Sequence, residues 1–310
     1  MNKEVKVFAP ASVANVAVGY DILGFALERP GDEIVVRLTE QEGLKISSIT
    51  GDNGKLPYDV MKNTAGFAAY SLLEHLGQSP RGIEMEIHKK MPFGSGLGSS
   101  AASAAAAVLA INELLDAPLS KQQLLHFAVL GEQIADGAYH ADNVAPSLLG
   151  GMVLIRNNKE LDVHQLPVPE DLVASVIYPH IKILTRDARS VLSPNVPLPK
   201  MIQQCGNMAG LVIGLFQSDY PLIARSLKDV VIEPQRAQLI PQFYDVKKAA
   251  LAAGALGCSI SGAGPSIFAL SKGQKTAEQV AQAMADIFHE HKIVLEKFVS
   301  PVNLSGAVIL

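Results

Sequence analysis

Met91-Pro92-Phe93-Gly94-Ser95-Gly96-Leu97-Gly98-Ser99-Ser100-Ala101-Ala102 is the stretch that decides how the chain is read. Three glycines in five residues, Gly94, Gly96 and Gly98, let backbone N–H groups approach a ligand without Cβ obstruction. From Ser99 the composition turns to helix formers, Ala101 and Ala102, then Ala104 to Ala107. A small hydroxyl residue at that boundary is the expected N-cap, with free N–H donors just beyond it. Unpaired N–H groups and the positive end of the helix dipole then point the same way, which makes an anion site, with phosphate first among the anions. No lysine follows Gly98, so this is not the GxxxxGK[ST] loop. Small side chains at Ala101, Ala102 and Ser103 leave room for a bulky ligand against the helix.

With 310 residues, 48% of them hydrophobic, the chain can bury a large core and is expected to divide into two domains. Its 26 basic and 30 acidic residues are well mixed, giving a net charge of −4, and tryptophan is absent. That pattern argues against nucleic acid as a partner, which calls for basic tracts and aromatic platforms. The first residues hold no apolar signal core, and the runs Ala104 to Ile111 and Leu211 to Phe216 are too short to span a membrane. A soluble cytoplasmic protein is the expectation. Cys205 and Cys258 lack CxxC spacing and read as reduced packing residues.

Working outward, Val13 to Gly24 is apolar yet carries Asn15 and Asp21 among small residues. Polar groups there are either satisfied turn formers or ligand contacts, because burial without a partner is costly. Asp32 to Leu38 and Gly82 to His88 alternate as strands, the second delivering the chain into the glycine-rich loop. Asn63 to Leu76 and Leu119 to Ala135 show helical spacing, with Ser120 the N-cap of the second. Gly137 to Gly151 then brings Tyr139, His140, Asp142 and Asn143 together, and a single histidine excludes a multi-histidine zinc site. Glu132, taken alone, is a solvated carboxylate. A second glycine-rich segment, Ser261-Gly262-Ala263-Gly264-Pro265-Ser266, lies between strand-like residues and reads as a hairpin turn. The composition break from Asn157 to Pro169 divides the chain into 1–160 and 161–310.

Three separated signals stand in order: Asn15 to Gly24, the loop from Pro92 to Ser103, and Ser261 to Ser266. The triple resembles the superfamily of galactokinase, homoserine kinase, mevalonate kinase and phosphomevalonate kinase. Pro10 to Asp21, His140 to Gly151 and Glu233 to Pro241 are most similar to the segments of homoserine kinases, and the likeness spans essentially the whole chain.

The resemblance implies a two-domain α+β fold. Residues 1–160 would form a domain like ribosomal protein S5 domain 2, residues 161–310 a ferredoxin-like domain, with ATP between them. It implies that Pro92, Phe93, Gly94, Ser95, Gly96, Leu97, Gly98, Ser99, Ser100 and Ala101 wrap the ATP phosphates. Ser100 and Glu132 would hold Mg2+, a hard cation that takes few oxygens from protein and the rest from phosphate and water. Asn15, Asp21, His140, Asn143, Arg189, Arg236, Gly262 and Gly264 would hold L-homoserine, Asp21 suiting its ammonium and the arginines its carboxylate. The implied reaction is phosphorylation to O-phospho-L-homoserine in threonine biosynthesis, by a homodimer. Asn143 falls where mevalonate-type relatives present an aspartate. An amide takes no proton at neutral pH, so catalysis by Asn143, Glu132 and Ser100 would rest on positioning and charge neutralisation without an evident base. Tyr20 and Val18 depart from the more usual phenylalanine and proline. Another small alcohol as substrate, or a non-catalytic sensor on the same fold, are the competing readings.

Overall fold

The computed structural model describes residues 4–310 apart from residues 80, 93, 117, 118 and 138, so Phe93 of the glycine-rich loop lies outside the described residues. The first half runs β1 (Glu4–Ala14), β2 (Leu23–Leu38), β3 (Leu44–Thr50), α1 (Thr64–His75), β4 (Ile83–His88), α2 (Ser99–Leu114), α3 (Lys121–Asp136), α4 (Val144–Leu149), β5 (Met152–Asn157) and β6 (Asp162–Leu166). The second runs β7 (Leu172–Pro179), α5 (Thr185–Ser190), α6 (Leu198–Gln217), α7 (Tyr220–Ser226), α8 (Glu233–Arg236), α9 (Phe243–Ala252), β8 (Gly257–Ile260), β9 (Ile267–Lys272), α10 (Gln274–Glu290), β10 (Leu295–Pro301) and β11 (Val308–Ile309).

The first sheet has the order β11-β1-β2-β4-β3, with β5 also on β2 and β6 on β5. Only β3 and β4 pair in parallel, and α1 links them. α2 packs on β1 and β2 and against α1 and α3. Thirteen of its sixteen residues are buried, as an apolar-all-round helix must be, and alanine is what lets sheet and helices approach it on every side. Ser120 caps α3, as the sequence predicts, and does so in a capping box with Gln123.

The second sheet has the order β10-β7-β9-β8 and is antiparallel throughout. In chain order that is strand four, one, three, two, with helices in the first and third connections: the ferredoxin pattern. Its core gathers Ile177, Phe243, Val246, Val280 and Phe288. The hairpin expected around Gly262 is present, joining β8 to β9. Phe268 of β9 meets Phe25 of β2 edge-on, ring centroids 6.0 Å apart, and belongs to the same apolar cluster as the first sheet. β5 and β6 both lie in the first sheet, and β11 returns to it after the second sheet is complete, pairing Val7 with Ile309. No helix among the described residues is long and apolar enough to cross a membrane.

Candidate active site

The glycine-rich loop hands over to α2 at Gly98, whose φ of 67° is left-handed and which caps the helix with no side-chain bond. The expected serine cap is therefore corrected. Both serine hydroxyls are committed elsewhere: Ser99 Oγ donates to Asp32 Oδ2 at 2.9 Å and Ser100 Oγ to Glu132 Oε1 at 2.7 Å. A Cβ on Gly98 would stand 2.3 Å from Ser12 Oγ and 2.8 Å from Asn143 Oδ1, so glycine is demanded by space as well as by φ. Ala102 N is the first amide to reach back, to Gly98 O at 2.8 Å. The N–H groups of Ser99, Ser100 and Ala101 are the orphan donors of a helix start.

The loop's carbonyls are held from outside. Ser12 N donates to Leu97 O (3.0 Å), Ser261 Oγ to Gly96 O (2.8 Å) and Ser266 N to Ser95 O (3.1 Å). The second glycine-rich segment thus braces the first.

Asp32 ties down both ends of the loop, which the sequence reading did not foresee. Its Oδ1 accepts from Lys90 N (2.8 Å) and Met91 N (3.2 Å) before the loop, and its Oδ2 from the hydroxyls of Ser99 and Ser103 after it. Lys89 Nζ pairs with Asp32 and also donates to Ser99 O and Ser103 Oγ, both at 2.7 Å. Both side chains are buried. The available signal was slight: an aspartate at the head of the Asp32 to Leu38 strand pattern and a lysine just ahead of the loop.

A cleft of about 420 Å³ opens in front of the helix start. Gly94, Ser95, Gly96, Gly98, Ser99 and Ser100 line it from the first domain, with Glu132 and Asn143, and Gly262 to Gly264 from the second. Pro92, Leu97 and Ala101 belong to the loop but do not line this cleft. The Ser95 hydroxyl is buried without a partner among the described side chains. Asn143 caps the start of α4, and its Oδ1 accepts from Ser12 Oγ at 2.9 Å, so its NH2 is the end left for a ligand.

Beyond Asn143 and Gly262 the predicted substrate residues come together. Asn15 and Asp21 sit at φ 70° and 61° in the β1–β2 connection, Asp21 N donating to Asn15 Oδ1 at 3.0 Å. Asn15 Nδ2 donates to Gly262 O at 2.9 Å. Asp21 Oδ2 lies 3.2 Å from Arg189 Nη1 and 3.6 Å from His140 Nε2, and His140 Nδ1 is buried without a hydrogen-bond partner. Arg236, 4% exposed, donates to Ala188 O, Gly262 O and the Tyr20 hydroxyl. Both guanidiniums lie over the Tyr20 ring, 5.9 Å for Arg189 and 4.9 Å for Arg236. Tyr20 is thus a site residue that sequence reasoning treated as a minor departure. Burial lowers the Arg236 pKa and raises that of Tyr20. Asp142 is pushed up to about 7 by burial first and by Asp21 next.

Ser100, Glu132, the α2 amides and the uncommitted Ser95 hydroxyl suit an anionic phosphate chain with a hard cation: oxygen donors, and N–H groups at a positive helix end. Among the described residues no three His, Cys, Asp or Glu side chains converge as a metal site, so a cation here would take most of its oxygens from phosphate and water.

A glycine loop at a helix start, braced by a ferredoxin-like domain, defines the class as small-molecule kinases of the GHMP type. Residues 63–151 match the GHMP kinases N terminal domain and residues 211–290 the GHMP kinases C terminal domain. A homoserine kinase of Chlorobium phaeobacteroides is 49% identical over 99% of this chain and 100% of its own length, and one of Chlorobium phaeovibrioides is 50% identical at the same coverage. The crystal structure of homoserine kinase from Cytophaga hutchinsonii matches with a TM-score of 0.98 at 52% identity, over 100% of this chain and 98% of that one. The chain belongs to the homoserine kinase family of the GHMP kinases.

Proposed function

We propose that this kinase transfers the γ-phosphoryl group of ATP to the side-chain hydroxyl of L-homoserine, giving O-phospho-L-homoserine and ADP. The observation that carries it is Gly262, which lines the phosphate-type cleft and whose carbonyl accepts from Asn15 and Arg236 of the charged cluster behind it. On one side lies the phosphate-type cleft, on the other a cluster holding one carboxylate, Asp21, and two guanidiniums, Arg189 and Arg236. A small zwitterion fits that charge pattern. Mevalonate and galactose, which lack an ammonium group, do not.

In this reading Asp21 takes the α-ammonium, and Arg189 takes the carboxylate with the two Arg236 N–H groups not already given to Ala188, Gly262 and Tyr20. The α2 amides and the loop from Pro92 to Ala101 hold the triphosphate. Ser100 and Glu132 would hold Mg2+, which when bound supplies neutralisation of phosphoryl charge. Asn143 directs its NH2 toward the reacting oxygens and orients the acceptor hydroxyl. Its carbonyl oxygen is already bonded to Ser12, so it abstracts no proton. Phosphoryl transfer through a loose transition state asks mainly for alignment and charge stabilisation, which this arrangement offers.

ADP release coupled to a colorimetric readout, with homoserine set against mevalonate, galactose and threonine, tests the proposal. Turnover confined to homoserine is expected. Turnover of mevalonate with none of homoserine would overturn it. The family likeness also carries a homodimer as part of this reading.

A further inference from the structure

Arg236 closes the single turn of α8, and its buried guanidinium donates to neutral acceptors: the carbonyls of Ala188 and Gly262 and the Tyr20 hydroxyl. Three residues earlier stands Glu233, 5% exposed. A glutamate and an arginine three positions apart on a helix are neighbours suited to an ion pair. Here the glutamate is engaged elsewhere. Glu233 Oε1 accepts from Lys247 Nζ of α9 at 2.5 Å, and Oε2 accepts from Ser259 Oγ of β8 at 2.7 Å. Both carboxylate oxygens are thus taken by the second domain's own elements, and Arg236 keeps a charge that this carboxylate does not neutralise.

The backbone that carries both side chains is pinned separately. Asp229 accepts from the N–H groups of Val231, Ile232 and Glu233 at 2.8, 3.0 and 2.8 Å. Gln235 accepts from Ser193 N at 2.7 Å and donates to Val231 O at 2.6 Å. A four-residue helix has little stability of its own, so these bonds hold it in place whatever Glu233 does. A cavity of about 10 Å³, lined by Glu233, Arg236, Asp229, Ser259, Asn15 and Gly262, borders both charged side chains. That is about one water's worth of space. A Glu233 carboxylate released by Lys247 has room to turn toward the guanidinium there, and the cost of a buried, unpartnered charge would drive it to do so.

We propose that Lys247 is a positioning residue for the phosphoryl transfer: by holding Glu233, it keeps the Arg236 guanidinium open to the carboxylate of the substrate. The inference rests on the reading above in which Arg236 receives the homoserine carboxylate. An internal carboxylate on the same guanidinium would compete with that ligand. Apparent affinity falls with the fraction of molecules in which the binding-competent arrangement is populated.

Steady-state kinetics on the full-length protein test it. If Arg236 is paired to Glu233 in about nine of ten molecules of Lys247→Met, KM for homoserine rises roughly 10-fold, with kcat and KM for ATP at wild-type values. Adding Glu233→Gln removes the competing charge and should return KM toward the wild-type value. A merely structural defect would be worsened by the second substitution, not repaired. Lys247→Arg retains the cation and should stay near wild type, and Lys247→Gln repeats the test should the methionine variant fail to fold. Normal wild-type turnover with an unchanged KM in the lysine variants overturns this inference alone, as does a double variant no better than the single. A wild type that does not turn over homoserine overturns the substrate reading and this inference with it.

Discussion

Asp21 Oδ2 and Arg189 Nη1 stand 3.2 Å apart, joining the β1–β2 connection of the first domain to α5 of the second. The pair bridges the domains at the point where the proposed zwitterion binds. An amino acid arriving there replaces one ion pair with two, ammonium to Asp21 and carboxylate to Arg189, so the protein's own contact prefigures the ligand's charges. Asp21→Asn keeps the shape and removes the charge. A charge-assisted bond contributes about 1.5–3 kcal/mol, so KM for homoserine should rise by roughly 10- to 100-fold, with KM for ATP unchanged. Steady-state kinetics with each substrate varied in turn checks this.

The Ser100–Glu132 contact joins α2 to α3 at the head of the cleft. Glu132→Gln retains an acceptor for the Ser100 hydroxyl but withdraws the negative charge. Loss of one preorganised electrostatic partner costs ~100- to 1,000-fold in kcat. The expected result is that loss at saturating ATP, together with a higher Mg2+ requirement and an unchanged melting temperature.

Asp32→Asn should act first on stability. It strips the charge partner from Lys89, whose side chain is 3% exposed, and an uncompensated buried charge costs about 3–5 kcal/mol. Urea unfolding should record that loss. Because Asp32 also gathers the amides before the loop and the hydroxyls after it, ATP affinity should fall in parallel, measured by calorimetry at a temperature where the variant is folded.

Asp142 gives a pH signature. Burial, with Asp21 beside it, raises its pKa to about 7, against about 3.9 in the unfolded chain. The folded state therefore holds a proton that the unfolded state has released, so this group's contribution to stability falls as pH rises from about 4 to about 7 and is level above that. At ~1.4 kcal/mol per pH unit the whole effect is of order 4 kcal/mol. Asp142→Asn should gain stability relative to wild type at pH 8 and show no such gain at pH 4. Thermal unfolding of both proteins across that range checks the sign.

Tyr20→Phe removes only the hydroxyl that accepts from Arg236 Nη2 at 3.3 Å and leaves the ring beneath both guanidiniums. Long and part-buried, that bond is worth about 0.5–1.5 kcal/mol. KM for homoserine should rise by a few-fold, with kcat and stability near wild type.

Much was written into local sequence. Gly94 to Gly98 followed by an alanine run announces a loop feeding a buried helix, because only those residues give the φ values and the close packing. Ser120 announces the start of α3, and the glycines from 262 announce a hairpin. Types of chemistry were legible in part: Asn15 and Asp21 are polar residues among small or apolar neighbours, where burial needs a reason, whereas Arg189 and Arg236 stand in mixed polar segments and were reached only through the family resemblance. Helix capping was misjudged at Ser99 because its hydroxyl has a better acceptor in Asp32, 67 positions away. The tertiary structure alone decided that Asp32 closes the loop at both ends, that Tyr20 lies under two arginines from the other domain, and that Cys205 of α6, read as a packing residue, is exposed. A strand or helix is specified by neighbours in the chain, whereas these pairings depend on how two sheets are set against each other, and periodicity carries no information about that.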